Sequence, residues 1–112
     1  MSEELDEMYE MGWIADYPHP QNFLDILFHS TADYNYGGYT NPDVDRLLGQ
    51  AAVEKDNAKS LAMYQDIEQR LVSDGACIPL WFGQNYYLVK PYVKGYSVNP
   101  LGQASLNEVS LE

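Results

Sequence analysis

Among the residues able to do chemistry, two histidines, His19 and His29, fall near Asp16, Asp25 and Asp33 in the sequence. A metal centre needs three or four ligands converging with a supporting outer shell. Their spacing fits no familiar ligand pattern, so surface or capping roles are expected for them. Cys77 is the one cysteine, which excludes an internal disulfide. Between Ala76 and Ile78 it reads as a buried, inert thiol, with no basic activator nearby in sequence. No serine stands in a nucleophile elbow. Gly37-Gly38 is a two-glycine turn rather than a phosphate loop. Paired carboxylates are plentiful, as chance dictates in so acidic a chain. No catalytic residue, metal or cofactor is assigned, and the chain reads as a non-enzyme.

Asp16 stands apart. It closes a predicted strand, follows Trp13 by three residues and precedes a proline-flanked helix start. A carboxylate beside an aromatic ring suits an ion pair with a cationic ligand group. It suits equally a cap on the helix that begins near residue 20. Pattern alone tilts toward the cap.

The elements that must position these residues follow from periodicity. Tyr9, Met11 and Trp13 fall on one face at period two, so residues 8–16 read as a strand. Pro18 and Pro20 end it, and Pro20 suits the first turn of a short helix over 20–29 carrying Phe23, Leu24, Leu27 and Phe28. Residues 30–41 are a loop rich in glycine, tyrosine and small polar groups. Asn41-Pro42 starts a second helix with Val44, Leu47, Leu48, Ala51 and Ala52 on one stripe. Asp56 or Asn57 caps a third, with Leu61, Tyr64, Ile67, Glu68 and Leu71 near one side and Gly75 as its stop. These two make a helical hairpin over 42–74, predicted to be the most stable unit. Apolar residues 76–82 and then 84–90 read as strands, Pro79 pushing the first toward an edge or bulge. The fold class predicted is mixed α/β (α+β): a small mixed sheet of about three strands, one short helix and the hairpin.

Of 112 residues, 46% are apolar and 21% charged, with a net charge of −11. One domain, or a piece of a larger one, is therefore expected rather than a disordered chain. The negative balance repels phosphate backbones, so no nucleic-acid partner is expected. No run approaches the ~20 apolar residues of a membrane span. Residues 1–7 read as an acidic, solvated tail without the basic-then-apolar pattern of a signal peptide. Residues 103–112 read as a polar tail, and Leu111-Glu112 looks like a dipeptide left by cloning. Ten tyrosines, two tryptophans and three phenylalanines suit a ligand cleft or a half-wet interface.

The string Gly12-Trp13-Ile14-Ala15-Asp16-Tyr17-Pro18-His19-Pro20-Gln21-Asn22-Phe23-Leu24 resembles the C-terminal region of extracytoplasmic oligopeptide-binding proteins, the solute receptors of ABC importers. The resemblance continues in order through Asn41-Pro42-Asp43-Val44-Asp45-Arg46-Leu47-Leu48, Ala62-Met63-Tyr64-Gln65-Asp66-Ile67-Glu68, Ile78-Pro79-Leu80 and Leu88-Val89-Lys90-Pro91-Tyr92-Val93-Lys94-Gly95-Tyr96. It spans roughly 8–102 and implies a segment of a two-lobed periplasmic-binding-protein fold. It also implies a periplasmic or extracytoplasmic parent, with a peptide ligand and importer membrane subunits as partners. The resemblance makes Asp16 the group that binds a peptide α-ammonium, with Trp13 and Tyr17 beside it in the cleft. His19 departs from the acid that many relatives carry. The segment alone is expected to be a monomer or weak homodimer. A free-standing carbohydrate-binding module, stacking sugars on Trp13, Trp81 and the tyrosines, is the alternative.

Overall fold

Asn41 and Asp56 set where the two longer helices begin. In the computed structural model, which describes residues 8–112, the Asn41 side-chain oxygen accepts from the backbone N–H of Asp43 (3.0 Å) and of Val44 (3.3 Å). Pro42 then occupies the first position of a helix over Pro42–Val53. The Asp56 carboxylate accepts from Ala58 and Lys59 (3.0 and 3.2 Å), opening a helix over Asn57–Ser73. Both caps satisfy amides that a helix start leaves without partners. The second of these helices ends as predicted. Gly75 takes φ +72°, its N–H donates to Val72 and the Ala76 N–H donates to Leu71. This is a Schellman closure, which needs the left-handed residue that glycine supplies without strain. A shorter helix, α1 (Gln21–Phe28), precedes these two, which are α2 and α3.

The core is the seam between α2 and α3 with α1 across it. Leu24, Val44, Leu48, Ala51, Tyr64, Ile67 and Leu71 are buried together. The inner stripe of α3 runs through Ser60, Tyr64, Ile67 and Leu71, at i, i+4, i+7 and i+11. Leu61, expected inside, falls one position off this stripe and is exposed. Ser60 takes the inner place because its hydroxyl donates to the Ala51 carbonyl (2.9 Å) near the end of α2. One polar bond thereby closes the tight connection at 54–56.

The predicted sheet is corrected. Residues 9–16 form no strand, and neither do 77–82 or 84–90. Among the described residues, no backbone amide between 77 and 92 donates to another backbone group. Ile78, Leu80, Trp81, Phe82 and Leu88 stay exposed instead of packing on the hairpin. These runs have strand-like composition, but a strand exists only against a partner, and the described residues supply none. Pairing is confined to two short antiparallel ladders. β1 (Val93–Lys94) pairs with β4 (Ser110–Leu111), and β2 (Ser97–Val98) with β3 (Ala104–Ser105). Residues set aside as a polar tail thus supply half of each ladder, Leu111 standing opposite Val93. Gly95, at φ +72°, lets the Glu108 carbonyl approach where any Cβ would overlap it. The radius of gyration, 18.5 Å, exceeds the ~13 Å of a compact domain of this length. The acidic stretch at residues 1–7, read as a tail, lies outside the described residues.

Two measurements test this architecture. Amide hydrogen exchange should be slowest within residues 44–72 and near the free-chain rate across 78–89; protection of 78–89 matching that of α3 would contradict it. Tyr64 offers the second test. Its hydroxyl is buried with no hydrogen-bond partner, and burial, with the Asp25 charge nearby, pushes the phenol up to about 12. The folded state therefore favours the neutral phenol. Stability is independent of this proton below the ordinary value near 10 and falls as pH rises from there toward about 12, because the unfolded phenol ionises first. Tyr64→Phe should flatten this alkaline loss and raise stability near neutral pH by up to about 1 kcal/mol, read by thermal melts across pH.

Candidate functional site

Asn22 has no solvent-accessible surface, and its amide joins the residues that the sequence singled out. Its side-chain oxygen accepts from the Trp13 indole Nε1–H (3.1 Å) and from the Asp16 backbone N–H (2.9 Å). Its side-chain nitrogen donates to the Asp16 carboxylate Oδ2 (3.3 Å). One carboxamide thus holds an aromatic ring, a turn and a carboxylate in fixed relation. All three bonds lie in partly buried surroundings, where a polar group left unpaired is costly.

The turn itself is local. The His19 N–H donates to the Tyr17 carbonyl (2.8 Å), and Pro20 accepts from Phe23 and Leu24 as α1 begins. His19 Nδ1 accepts from the Gln21 backbone N–H (3.2 Å), and its ring meets Tyr64 edge-on at 5.4 Å. The capping role weighed for Asp16 is not observed: Pro20 is the N-cap of α1 without a side-chain cap bond, and the Asp16 carboxylate turns to Asn22. Asp16 is exposed, its Oδ1 makes no hydrogen bond within the described residues, and none of the described ion pairs includes it. The carboxylate is thus exposed, with one oxygen bonded to Asn22 and no cationic partner among the described residues.

Trp13 is held on a second side. Tyr34 meets it at 5.1 Å and 61°, Tyr36 meets Tyr34 at 6.0 Å and 74°, and Tyr9 meets Tyr36 at 6.5 Å and 68°. This edge-to-face row pins the extended stretch before the turn to the loop after α1. The loop is shaped by Asn35, which donates to the carbonyls of His29 (3.3 Å) and Tyr39 (2.7 Å) and accepts from the Tyr39 N–H (3.1 Å). Tyr39 donates to Asp74 (2.6 Å) and so ties the loop to the end of α3. The rings form no coplanar row of the kind a sugar-stacking face requires.

Of the three predicted site residues, Trp13 and Asp16 come together. Tyr17 does not join them, and its hydroxyl donates to Gln21 Oε1 at 3.5 Å. Asn22 and Tyr34 were not singled out from the sequence. The one trace of Asn22 is an amide near the start of a helix, six residues after Asp16 and nine after Trp13. Asp25 lines an adjoining cleft with Ile26, His29, Thr31, Ala32, Asp33 and Tyr34, and burial pushes its carboxyl up. Among the described residues, no three of His, Cys, Asp or Glu converge to hold a metal ion. Cys77 is half-buried rather than buried; burial, with Glu68 nearby, pushes its thiol up and away from the reactive thiolate.

The periplasmic oligopeptide-binding protein of Escherichia coli is 36% identical over 86 residues, 77% of this chain and 16% of that protein. The chain is homologous to a part of the periplasmic oligopeptide-binding proteins. The periplasmic murein peptide-binding protein of the same organism is 32% identical over 93 residues, 83% of this chain and 17% of its own length. A probable deoxycholate-binding periplasmic protein, also from E. coli, is 33% identical over 88 residues, 79% of this chain and 16% of that relative. The chain thus spans about a sixth of these curated relatives. No family model matches it, and no solved structure does.

The two tryptophans report directly on the site. Trp13 donates to a buried acceptor, whereas Trp81 is 71% exposed. The Trp13 indole N–H should exchange with solvent at least about tenfold more slowly than that of Trp81. Equal rates, read by NMR on the labelled chain, would remove the clamp.

Proposed function

We propose that this chain is a segment of a periplasmic receptor that delivers peptides to an ABC importer, and that Asp16 anchors the peptide's α-ammonium group. The observation that carries this reading is the exposed Asp16 carboxylate, oriented by Asn22 beside Trp13 and unpaired with any described cation. A carboxylate held in one direction pairs with an ammonium at little ordering cost. Such an anchor grips the one cationic group common to all unblocked peptides, whatever their side chains. Trp13 and the tyrosine row would wall off that end of the cleft, without Tyr17, whose hydroxyl turns to Gln21.

The other support is what the chain lacks. Residues 77–89, with Ile78, Leu80, Trp81, Phe82 and Leu88 exposed and no backbone amide donating to another backbone group, offer an apolar surface that other parts of a larger receptor would cover. The membrane subunits of an importer are the further partner of such a receptor. The carbohydrate-module alternative draws no support from rings that meet edge-on.

Asp16→Asn in the receptor that carries this segment should weaken binding of a peptide with a free amino terminus by about 2–5 kcal/mol. An N-acetylated peptide should lose far less. Calorimetry decides it: equal affinity of both proteins for the free peptide removes the anchor from Asp16.

A further inference from the structure

We infer that His29 is an acid-sensitive latch at the end of α1: neutral, it holds the start of the following loop through Thr31; protonated, it releases Thr31 and pairs with Asp45 on α2. His29 is the C-cap of α1, and its ring is partly exposed, within reach of protons from solvent. Its Nδ1 accepts from the Thr31 backbone N–H (3.2 Å) and lies 3.1 Å from the Thr31 hydroxyl. That bond needs the lone pair of Nδ1, so it exists only in the neutral ring. An imidazolium carries a proton on both nitrogens, and its Nδ1–H would meet the Thr31 N–H donor to donor. The same nitrogen lies 3.9 Å from Asp45 Oδ1, so a small turn of the ring exchanges one partner for the other.

The surroundings supply the second partner in the right charge state. Burial alone would raise the Asp45 carboxyl, but bonding from Ser30 and the His29 charge outweigh it and hold the group below its ordinary value. Asp45 is therefore an anion throughout the range of about pH 5 to 8 in which histidines take up charge. The other titratable groups beside the ring are also acids: Asp25, one turn back on α1, and Asp33, which lines the same cleft. No described lysine or arginine pairs with any of the three. The negative end of the α1 dipole lies here as well. Two competing sets of partners thus meet at one nitrogen. His19, at the other end of α1, accepts the Gln21 N–H in the same way, but its ring rests on the neutral phenol of Tyr64 and no described ion pair includes it. Thr31 stands three residues before Tyr34, whose ring braces Trp13. The exchange resets the start of that loop without opening it, because Ala32 and Asn35 still donate to the His29 carbonyl (2.9 and 3.3 Å).

Amide exchange on the isotopically labelled chain between about pH 8 and pH 5 tests the latch, each rate being compared with that of a free amide at the same pH. Protection of the Thr31 amide should fall about fivefold, in step with the His29 ring signals. The Ser30 amide, which donates to Asp45 Oδ1 at 2.9 Å, should keep its protection. His29→Asn should hold Thr31 at every pH, because an asparagine side chain accepts from the amide two residues on without titrating. Constant protection of Thr31 while His29 takes up its proton would overturn the inference. So would a parallel loss at Ser30 and Thr31, the mark of a loop that merely loosens, or the same fall at Thr31 in His29→Asn.

Discussion

The structure depends on one seam, the contact of α2 with α3 through Leu48, Ala51, Tyr64, Ile67 and Leu71. Everything that could recognise a ligand is built outward from it. α1 lies across the seam through Leu24, and α1 carries Asn22 at its start. His19 rests its ring on Tyr64, so the turn before α1 is seated on the same core. Tyr39 and Asn41 reach Asp74 at the far end of α3 and hold the loop that bears Tyr34. The seam is apolar and local in sequence, a combination that forms early and tolerates missing neighbours.

Against that apolar support, the site is held by amides. Asn22 and Asn35 each satisfy three hydrogen bonds, and each joins segments that share no secondary structure. Carboxamides suit this work because they carry donors and an acceptor at fixed angles without charge. A charged residue in the place of Asn22 would have to be buried beside Asp16, at a far higher cost. The neutral clamp leaves the negative charge of Asp16 uncompensated, which is the condition for an incoming cation to matter.

How much could be read beforehand follows from the range of each interaction. The hairpin was legible because its signals are local: Asn41-Pro42, Asp56, Gly75 and two stripes at helical spacing. The short helix was legible for the same reason. The strands at 9–16, 77–82 and 84–90 were misread because a sheet is a relation between segments, and composition reports only one partner. Trp13 and Asp16 were given a ligand role by resemblance, whereas pattern alone tilted Asp16 toward capping. The contact that joins them is Asn22, whose bonds bridge six and nine residues and whose position in a helix start carries no such signal. Leu61 was misplaced by one step because Ser60, a polar residue, took the inner face.

The unpaired stretch at 77–92 has a consequence for how copies of the chain meet one another. A backbone whose amides find no backbone partner, with exposed apolar residues beside it, can pair with another chain. Opposing it is the net charge of −11, which makes every copy repel every other. That repulsion acts across solvent and shrinks with the Debye length, ~10 Å at 0.1 M salt and ~3 Å at 1 M, while apolar contact does not weaken in the same way. Apolar contact between copies through this stretch would therefore be opposed most strongly in dilute buffer and least at high salt.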